Sequence, residues 1–284
     1  MSPEPAIDSN VLLRRSCKKH SDGNRRFPGR FCELFFQLVL DYSSSAMSDV
    51  HADKIREALV ADASRRLYPS LSDPSFLTLR SRRLIFSRWA KRFTGKNLNV
   101  LDVGGRLQPY RPLLVGRIGK YIAVDLVRSP FVDVIADGEL LPFRRESFDL
   151  IIATQVLEYV RDPGNAVRQI HEVHKPGGVL LGSAAAYVPL IADNDFWRFT
   201  RPGLSVMLSR FDQVEIIPEL HSLSSLLRSI NLAANSCIPY NAGRAVYRAT
   251  VCPVINILGL GIEKLRLTSN DQFTTNYSVF AVKG

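Results

Sequence analysis

The sequence predicts an α/β fold: a doubly wound, mostly parallel, Rossmann-like sheet of seven strands with helices on both faces. From residue 98 onward, short apolar runs alternate with stretches of helical periodicity. The apolar runs are nearly continuous rather than interrupted by polar residues, which is typical of parallel strands buried on both faces. Glycine and proline pairs such as Pro176-Gly177 mark the turns between these elements.

The predicted elements follow in order along this part of the chain. The strands are NVLDV (99–103), YIAVDL (121–126), VDVIAD (132–137), FDLIIAT (148–154), GGVLLGSAA (177–185), QVEIIPEL (213–220) and NYSVFAVK (276–283). The stretch NAVRQIHEVHK (165–175) predicts an amphipathic helix, with His171 and His174 on its solvent side. Residues from about 221 to 265 predict a helical cap insertion that shapes acceptor specificity or forms a dimer contact.

The first third of the chain divides into two segments ahead of the domain predicted at 97–284. Residues 1–48 predict a flexible basic extension because they carry many Arg and Lys residues and no sustained period before Phe31. Residues 49–96 predict two helices, since apolar residues recur at helical spacing. The arginines of the second helix, including Arg80, Arg82 and Arg83, are interpreted as a solvated face rather than a nucleic-acid surface.

The overall composition narrows the protein class. The 284 residues carry a formal net charge of +10, which is too common a feature to identify a partner by itself. The four cysteines are scattered without a C-x-x-C pair, which disfavours a thiolate zinc site. No signal peptide or transmembrane segment is recognised, so we expect a cytoplasmic protein. The apolar run at 31–40 is too short to span a bilayer and leaves peripheral membrane contact as the minority interpretation.

The turn after the first strand is the first candidate site. Gly104 and Gly105 let the backbone approach a ligand at the strand end where doubly wound sheets bind ligands. Arg106 and Pro109 stand where a G-x-G-x-x-G run needs glycine, and no G-K-[ST] follows, so phosphate cradling is disfavoured. Asp125 ends the second strand, where a carboxylate can accept both hydroxyls of a ribose. An ordinary turn aspartate is the alternative.

The ends of the third and fourth strands add further candidates. The Asp137 carboxylate can accept the exocyclic amine of an adenine, and the Gly138 amide can meet a ring nitrogen. Leu140 and Phe143 offer apolar cover for such a base. Gln155 follows the fourth strand and is expected to face the reactive end of the same ligand. An ordinary loop acid is again the alternative for Asp137.

The ordered series of these motifs carries a family resemblance. VLDVGG, YIAVDL, ADGELLPF, SFDLIIATQVLEYVRDP and HEVHKPGGVLLGSAA lie within residues 98 to 220 and resemble the class I S-adenosylmethionine-dependent methyltransferases of the small-molecule kind. NYSVFAVK resembles the final strand of that fold, which the family runs antiparallel. DNDFWRFTRPGL is similar to a segment in branches linked to cell-surface glycan and polyketide-like modification. The resemblance implies S-adenosyl-L-methionine as cofactor and a small-molecule or glycan-like acceptor methylated on oxygen or nitrogen.

The resemblance also implies a role for each matching position. Asp102 matches the acid that holds the methionine ammonium, Gly104 the first glycine of the turn, Asp125 the ribose-binding acid, Asp137 the acid beside adenine, and Gln155 a contact of the methionine part. The family usually shows D-x-G-x-G-x-G, whereas this chain has Arg106 and Gln108 at the later glycine positions. Arg106 either obstructs the pocket or reaches the methionine carboxylate, and Tyr159 stands where a histidine is common.

The acceptor is expected against the loop at 185–200, which follows the fifth strand. Tyr187, Asp195, Trp197 and Arg198 are its candidate acceptor-binding residues, with plain packing of the loop on the sheet as the alternative. Transfer to oxygen or nitrogen benefits from a general base, for which Tyr187, Asp195 and His171 are candidates. The HEVH run lacks the H-E-x-x-H spacing, so no metal is expected.

The departures from the family's glycine pattern and the basic charge of the chain suggest two alternative functions. Arg106 and Gln108 motivate a degenerate, methyltransferase-like protein that binds a ligand or partner without turnover. The basic helices motivate an RNA methyltransferase, but TQVLEY stands after the fourth strand where an N-P-P-Y-like motif would be needed for a flipped base. A nucleic-acid partner is therefore disfavoured, and a homodimer stays open.

Overall fold

The computed structural model describes residues 49–190, 192–265 and 270–284. The predicted basic extension at 1–48, with its apolar run at 31–40, lies outside the described residues.

A seven-stranded sheet in the order β3-β2-β1-β4-β5-β7-β6 forms the centre of the described chain. Its strands are β1 (Leu98–Val103), β2 (Ile118–Asp125), β3 (Val134–Ile135), β4 (Phe148–Thr154), β5 (His174–Ala185), β6 (Gln213–Pro218) and β7 (Asn276–Val282). The pairings among β1 to β5 are parallel, whereas β7 runs antiparallel to both β5 and β6. The predicted α/β class, the mostly parallel sheet and its antiparallel last strand are confirmed.

The extents of several strands differ from the prediction, among them β3 and β5. β3 contains only Val134 and Ile135, because it is the edge strand and the Asp133 carboxylate accepts the backbone N–H of Ala123 at 2.8 Å before regular pairing begins. β5 begins before its glycines, since His174 already pairs with Phe148 across the β4–β5 ladder. Neither effect can be predicted from sequence periodicity, because both depend on the neighbouring strand.

The helices of the described chain cover the sheet and form the cap. They are α1 (Asp49–Leu67), α2 (Phe76–Ala90), α3 (Pro163–Val173), α4 (Arg201–Met207), α5 (Ser222–Cys237), α6 (Asn241–Ala249) and α7 (Val251–Leu265), with a 3₁₀ turn at Arg111–Leu114. α3 begins where the Asp162 carboxylate accepts the N–H of Asn165 at 2.9 Å and Pro163 occupies the first turn. The predicted helical insertion at 221–265 is confirmed as α5, α6 and α7.

The core lies in two layers, one on each face of the sheet. One layer packs α3 and α4 against the sheet through residues such as Ile170 and Leu204. The other packs α2 against the opposite face, where the Trp89 and Phe86 side chains are fully buried near Phe280. Each such side chain contributes about 1.5–3 kcal/mol on burial. This packing fixes the sheet, and with it the positions of the loops at the carboxyl ends of the strands.

Candidate active site

The glycine turn after β1 approaches both neighbouring strands too closely for side chains. The N–H groups of Gly104 and Gly105 donate to the Val124 carbonyl at 2.8 and 3.1 Å. Gly104 has a φ of +72°, and a Cβ there would lie 2.5 Å from Cγ2 of Val156. A Cβ on Gly105 would lie 2.7 Å from the Asp102 carbonyl oxygen. The turn therefore needs both glycines to join the ends of β1, β2 and β4.

Asp102 is buried directly beneath this turn. Its Oδ2 accepts a hydrogen bond from the Tyr121 hydroxyl at 2.6 Å. Burial raises the pKa of Asp102 to about 7, against the lowering effects of the Tyr121 hydrogen bond and the Arg111 charge, while the charge of Asp125 raises it further. The structure thus gives Asp102 a hydroxyl partner from the next strand and a proton affinity near neutrality.

Asp125 ends β2 at the open edge beside the glycine turn. Its Oδ1 accepts the N–H of Val127 at 2.9 Å. Burial raises the pKa of Asp125, although backbone hydrogen bonds from Val127, Arg106 and Leu126 and the Arg106 charge lower it. The carboxylate is only partly exposed and is held in place by its own turn. Asp102 and Asp125 therefore meet at one edge, as the sequence predicts.

Arg106 lies across this same edge. Its guanidinium interacts with the charge of Asp125, with Arg66 and Asp62 of α1, and with Tyr159 after β4, and burial lowers its pKa. The Arg66 side chain in turn bonds Asp62 through Nε at 3.1 Å. The C-terminal half of α1 consequently covers the carboxyl edge of the sheet, which the sequence did not indicate.

The loop after β3 closes the other side of the edge. A Cβ on Gly138 would lie 3.5 Å from Cγ1 of Val103, so the loop rests on the end of β1. Asp137 is exposed, and its Oδ1 accepts the N–H of Glu139 at 3.0 Å. Leu140 is largely exposed beside it. The loop thus presents a carboxylate and an apolar side chain next to the glycine turn.

Gln155 adopts a left-handed backbone conformation, φ 54°, at the end of β4. Its Nε2 donates to Oε1 of Glu158 at 3.2 Å and to Oγ of Ser183 at 3.4 Å. Its Oε1 accepts from Nδ2 of Asn276 at 2.9 Å. The amide therefore links the ends of β4, β5 and β7, and the predicted contact with a methionine part stays a prediction.

Glu158 follows β4, where the sequence predicts only that it begins the next helix or the floor of the active site. Its side chain is buried, and Oε1 accepts the N–H of Ala185. Its backbone carbonyl accepts the N–H groups of Phe196 and Trp197 at 2.7 and 3.3 Å. Oε2 has no hydrogen-bond partner among the residues that the structure describes. Burial raises the pKa of Glu158 to about 7, and the charge of Asp195 adds to this.

The loop at 185–200 is braced by an internal ion pair. Arg198 Nη2 donates to Oδ2 of buried Asp195 at 2.7 Å and to the Pro189 carbonyl at 3.1 Å, and Nε donates to the Val188 carbonyl at 3.1 Å. Both charged candidates thus shape the loop by bonding each other. The aromatic candidates are more open: Trp197 and Tyr187 are both exposed, and the Tyr187 ring lies 5.1 Å from that of Phe273.

A cleft of about 520 Å³ lies against this loop. It is lined by Arg161, Asp162, Pro163, Gly164, Trp197, Arg198, Phe199, Thr200, Gly203 and Met207. None of these residues belongs to the turns after β1, β2 or β3. Trp197 and Arg198 are shared with the predicted acceptor loop, so the cleft adjoins the candidate site without containing its acids.

The two histidines of the α3 region lie away from the carboxyl edge. His171 is near the C-terminal end of α3, with its ring edge-on to Phe211 at 5.0 Å. The structure therefore does not bring this candidate base to the other site residues. The expectation that His174 faces solvent is wrong: it is buried at the start of β5, and Nδ1 lies 2.9 Å from the Ile170 carbonyl. Burial lowers its pKa to about 4.

Among residues 49–190, 192–265 and 270–284, no group of three His, Cys, Asp or Glu side chains is arranged to hold a metal ion. The sheet order and the glycine turn instead agree with the match of residues 101–182 to a family model described as a methyltransferase domain. Residues 101–182 are thus similar to a methyltransferase domain. The match confirms the resemblance on which the S-adenosylmethionine expectation rests.

Named relatives match parts of the chain. The human mitochondrial arginine-hydroxylase NDUFAF5 is 37% identical over 94 residues, which is 29% of this chain and 27% of that protein. A polyketide synthase-nonribosomal peptide synthetase of Aspergillus clavatus is 48% identical over 50 residues, 18% of this chain and 1% of that protein. The chain therefore spans about a quarter or less of the length of these curated relatives.

A solved structure is similar over more of the chain. A SAM-dependent methyltransferase from Archaeoglobus fulgidus covers 71% of this chain and 94% of its own, at 18% identity and a TM-score of 0.45.

Proposed function

We propose that the chain transfers a methyl group from S-adenosyl-L-methionine to an oxygen or nitrogen of a small-molecule or glycan-like acceptor. The observation that carries this proposal is the meeting of Asp102, the Gly104–Gly105 turn and Asp125 at one edge of a sheet with the methyltransferase strand order. The family match over the same strands supports it.

The residues at this edge fit the cofactor. Gly104 leaves a side-chain-free surface beside the Asp125 carboxylate, which is suited to accept ribose hydroxyls. Exposed Leu140 and the Asp137 carboxylate offer an apolar surface and an acceptor for the base. S-adenosylmethionine supplies an electrophilic methyl group when it is bound.

The chain's own residues then have to align the acceptor and exclude water. α1 contributes cover, because Arg66 and Asp62 lie near Arg106 and the open edge. A productive acceptor atom must sit within about 3 Å of the methyl carbon, in line with its bond to sulfur. The loop at 185–200 can place it, since the Arg198–Asp195 pair and the Glu158 carbonyl hold that loop's backbone.

Glu158 is the carboxyl group best suited to receive a proton near this loop. Its pKa of about 7 gives it a substantial neutral fraction and a substantial charged fraction at neutral pH, the range in which a general base is most effective. Oε2, without a partner among the described residues, is the atom available to hold the proton. Tyr187 and Asp195 stay candidates for orienting the acceptor.

A second candidate function is hydroxylation, in which one oxygen atom of dioxygen would enter a C–H bond of the acceptor and an added two-electron reductant would convert the other oxygen atom to water. Several relatives are named arginine-hydroxylase, although this chain spans only about a quarter of the length of the human protein. A hydroxylating relative within a methyltransferase family means that the fold alone does not set the reaction. The two reactions differ in the mass they add to an acceptor, one methylene unit or one oxygen atom.

Titration calorimetry with S-adenosylhomocysteine tests the cofactor first. Saturable one-site binding to the full chain is expected, together with competition by S-adenosylmethionine. The second measurement incubates the chain with S-adenosylmethionine labelled in its methyl group and with glycan and polyketide-like acceptors, and analyses products by mass spectrometry. Label in the product supports methyl transfer, and added oxygen without label supports hydroxylation. Binding without either product would favour a degenerate binding protein.

A further inference from the structure

The cap helix α5 buries its polar side and exposes its apolar side, which is the reverse of an ordinary surface helix. Its buried side faces the rest of the protein with polar residues, and its outer side carries leucine and isoleucine. The buried residues are Ser224, Ser225, Arg228 and Asn231, and the exposed apolar residues are Leu223, Leu226 and Ile230. A helix that only had to cover a core would place these two sets the other way round.

The last cap helix, α7, also has its apolar side facing outward. Small or polar residues face inward, and large apolar residues face outward at 47–69% exposure. The inward residues are Cys252, Asn256 and Gly259, and the outward residues are Val251, Val254, Ile257, Leu258 and Leu265.

The inward contacts fix this orientation. Nδ2 of Asn256 donates to the carbonyls of Leu71 and Asp73 at 2.7 and 3.0 Å, and its Oδ1 accepts from Asn231 of α5 at 3.0 Å. A Cβ on Gly259 would lie 2.5 Å from Cδ1 of Leu77, so α7 approaches α2 without room for a side chain. Turning the apolar side inward would break these bonds and bury large residues where only glycine fits.

The inverted helices leave apolar side chains exposed on their outer side. α6 adds exposed Val246, and Tyr240 is exposed as well. Contiguous exposed apolar surface is costly in water and marks a site of contact with another molecule or a membrane. By length and composition, the stretch Asn241–Leu265, which comprises α6 and α7, is long and apolar enough to cross a membrane.

The charges around this surface indicate its partner. Glu263 is the only acid from 222 to 265, and its carboxylate accepts the N–H of His221 and contacts the ring Nδ1 at 3.0 and 2.9 Å. Arg244, Arg248 and Lys264 supply cations on α6 and α7. In a symmetric dimer through this surface the same patch would meet itself, bringing like charges together with Glu263, which is already bonded to His221, as the only acid of residues 222–265. An anionic lipid surface complements the patch instead.

We propose that the outer face of α5, α6 and α7, the cap surface, docks peripherally on an anionic lipid bilayer. α7 lies in the interface plane, because its bonds to Leu71 and Asp73 and its contact with Leu77 hold it against the domain and prevent it from spanning. The proposal does not rest on methyl transfer.

Sedimentation with phosphatidylcholine vesicles containing phosphatidylglycerol tests this docking on the full chain. The wild type is expected to sediment with these vesicles, and more weakly at high salt or with phosphatidylcholine alone. The double variant Ile257→Ser/Leu258→Ser is expected to lower the partition constant at least about tenfold, since it removes two large apolar side chains from the interface. This variant leaves the run at 31–40 intact, so unchanged binding would overturn the proposal.

A matched control removes exposed apolar side chains elsewhere. Val115 and Val206 are 76% and 75% exposed, and neither belongs to the cap surface or the candidate site. Val115→Ser/Val206→Ser is expected to sediment like the wild type, and circular dichroism checks that both double variants fold. If the wild type stays in solution as a dimer that Ile257→Ser/Leu258→Ser dissociates, the surface joins two copies and the proposal is wrong. A wild-type monomer that does not sediment with the vesicles would also overturn the proposal.

Discussion

Arg82 and Glu219 form a buried, bidentate ion pair between α2 and the segment after β6. Arg82 Nε lies 2.6 Å from Oε1 of Glu219, and Nη2 lies 3.0 Å from Oε2. The Ser278 hydroxyl donates to Oε1 at 2.9 Å, which ties β7 to the same carboxylate. The pair therefore fastens the N-terminal helices to the antiparallel end of the sheet.

Glu219→Gln is expected to lower the free energy of unfolding by about 3–5 kcal/mol, the usual cost of leaving a buried charge without its partner. Arg228 makes the loss larger, because this second buried guanidinium already interacts with Arg82 and with Glu219. Urea unfolding followed by circular dichroism measures the change.

The exposed pair between Arg92 and Glu215 provides the control. Arg92 Nη1 lies 2.7 Å from Oε2 of Glu215, and both side chains are substantially exposed. Glu215→Gln is expected to cost about 1 kcal/mol or less. Equal losses in the two variants would show that burial does not set the strength of the Arg82–Glu219 pair.

The prediction that Arg82 lies on a solvated face is wrong for an identifiable reason. Periodicity in α2 separates an apolar side from a basic side, but it does not reveal a carboxylate 137 residues away that neutralises one arginine of that basic side. The cap helices were predicted, but their orientation was not, for a similar reason. α5 and α7 show helical periodicity in the sequence, and periodicity alone does not tell which side faces the protein.

The strands and the local turns were more predictable. Continuous apolar runs such as β4 reflect burial on both faces, and the structure reproduces its predicted bounds, Phe148–Thr154. Asp102 and Gly104 stand at the end of β1 and Asp125 at the end of β2, so these neighbouring parallel strands bring them together at one edge of the sheet. Glu158 gains its raised pKa from tertiary burial under the loop at 185–200, for which a single sequence carries no signal.

Asp125→Ala is expected to weaken S-adenosylhomocysteine binding by about 1.5–3 kcal/mol, because the variant removes a charged hydrogen-bond acceptor. Titration calorimetry gives the value. Asp149→Ala is the control, since Asp149 bonds Lys175 at 2.8 Å and the N–H of Asn99 at 2.8 Å, near the opposite ends of the strands. An unchanged affinity in Asp125→Ala would remove this carboxylate from the site.

Arg106→Ala is expected to tighten S-adenosylhomocysteine binding by up to about fivefold. The Arg106 charge attracts the carboxylate of Asp125, and a partly exposed ion pair is worth about 1 kcal/mol or less. Removing the Arg106 guanidinium leaves the Asp125 carboxylate available to accept hydrogen bonds from the ribose hydroxyls. Lys120→Ala removes the same charge from an exposed position in β2 and should leave the affinity unchanged. Weaker binding by Arg106→Ala would instead place its guanidinium on the methionine carboxylate.

The stability of the protein is expected to fall as pH rises from about 4.5 toward 7, through the contribution of Glu158. Burial raises its pKa to about 7, so in this window the folded chain keeps a proton that the unfolded chain has released. Each such group lowers the free energy of unfolding by up to about 1.4 kcal/mol per pH unit. Glu158→Gln should flatten urea-unfolding stability against pH, and Asp102→Asn should do the same because burial raises the Asp102 pKa equally. Curves that run parallel to that of the wild type would mean that both carboxyls ionise in the folded state as readily as in the unfolded chain.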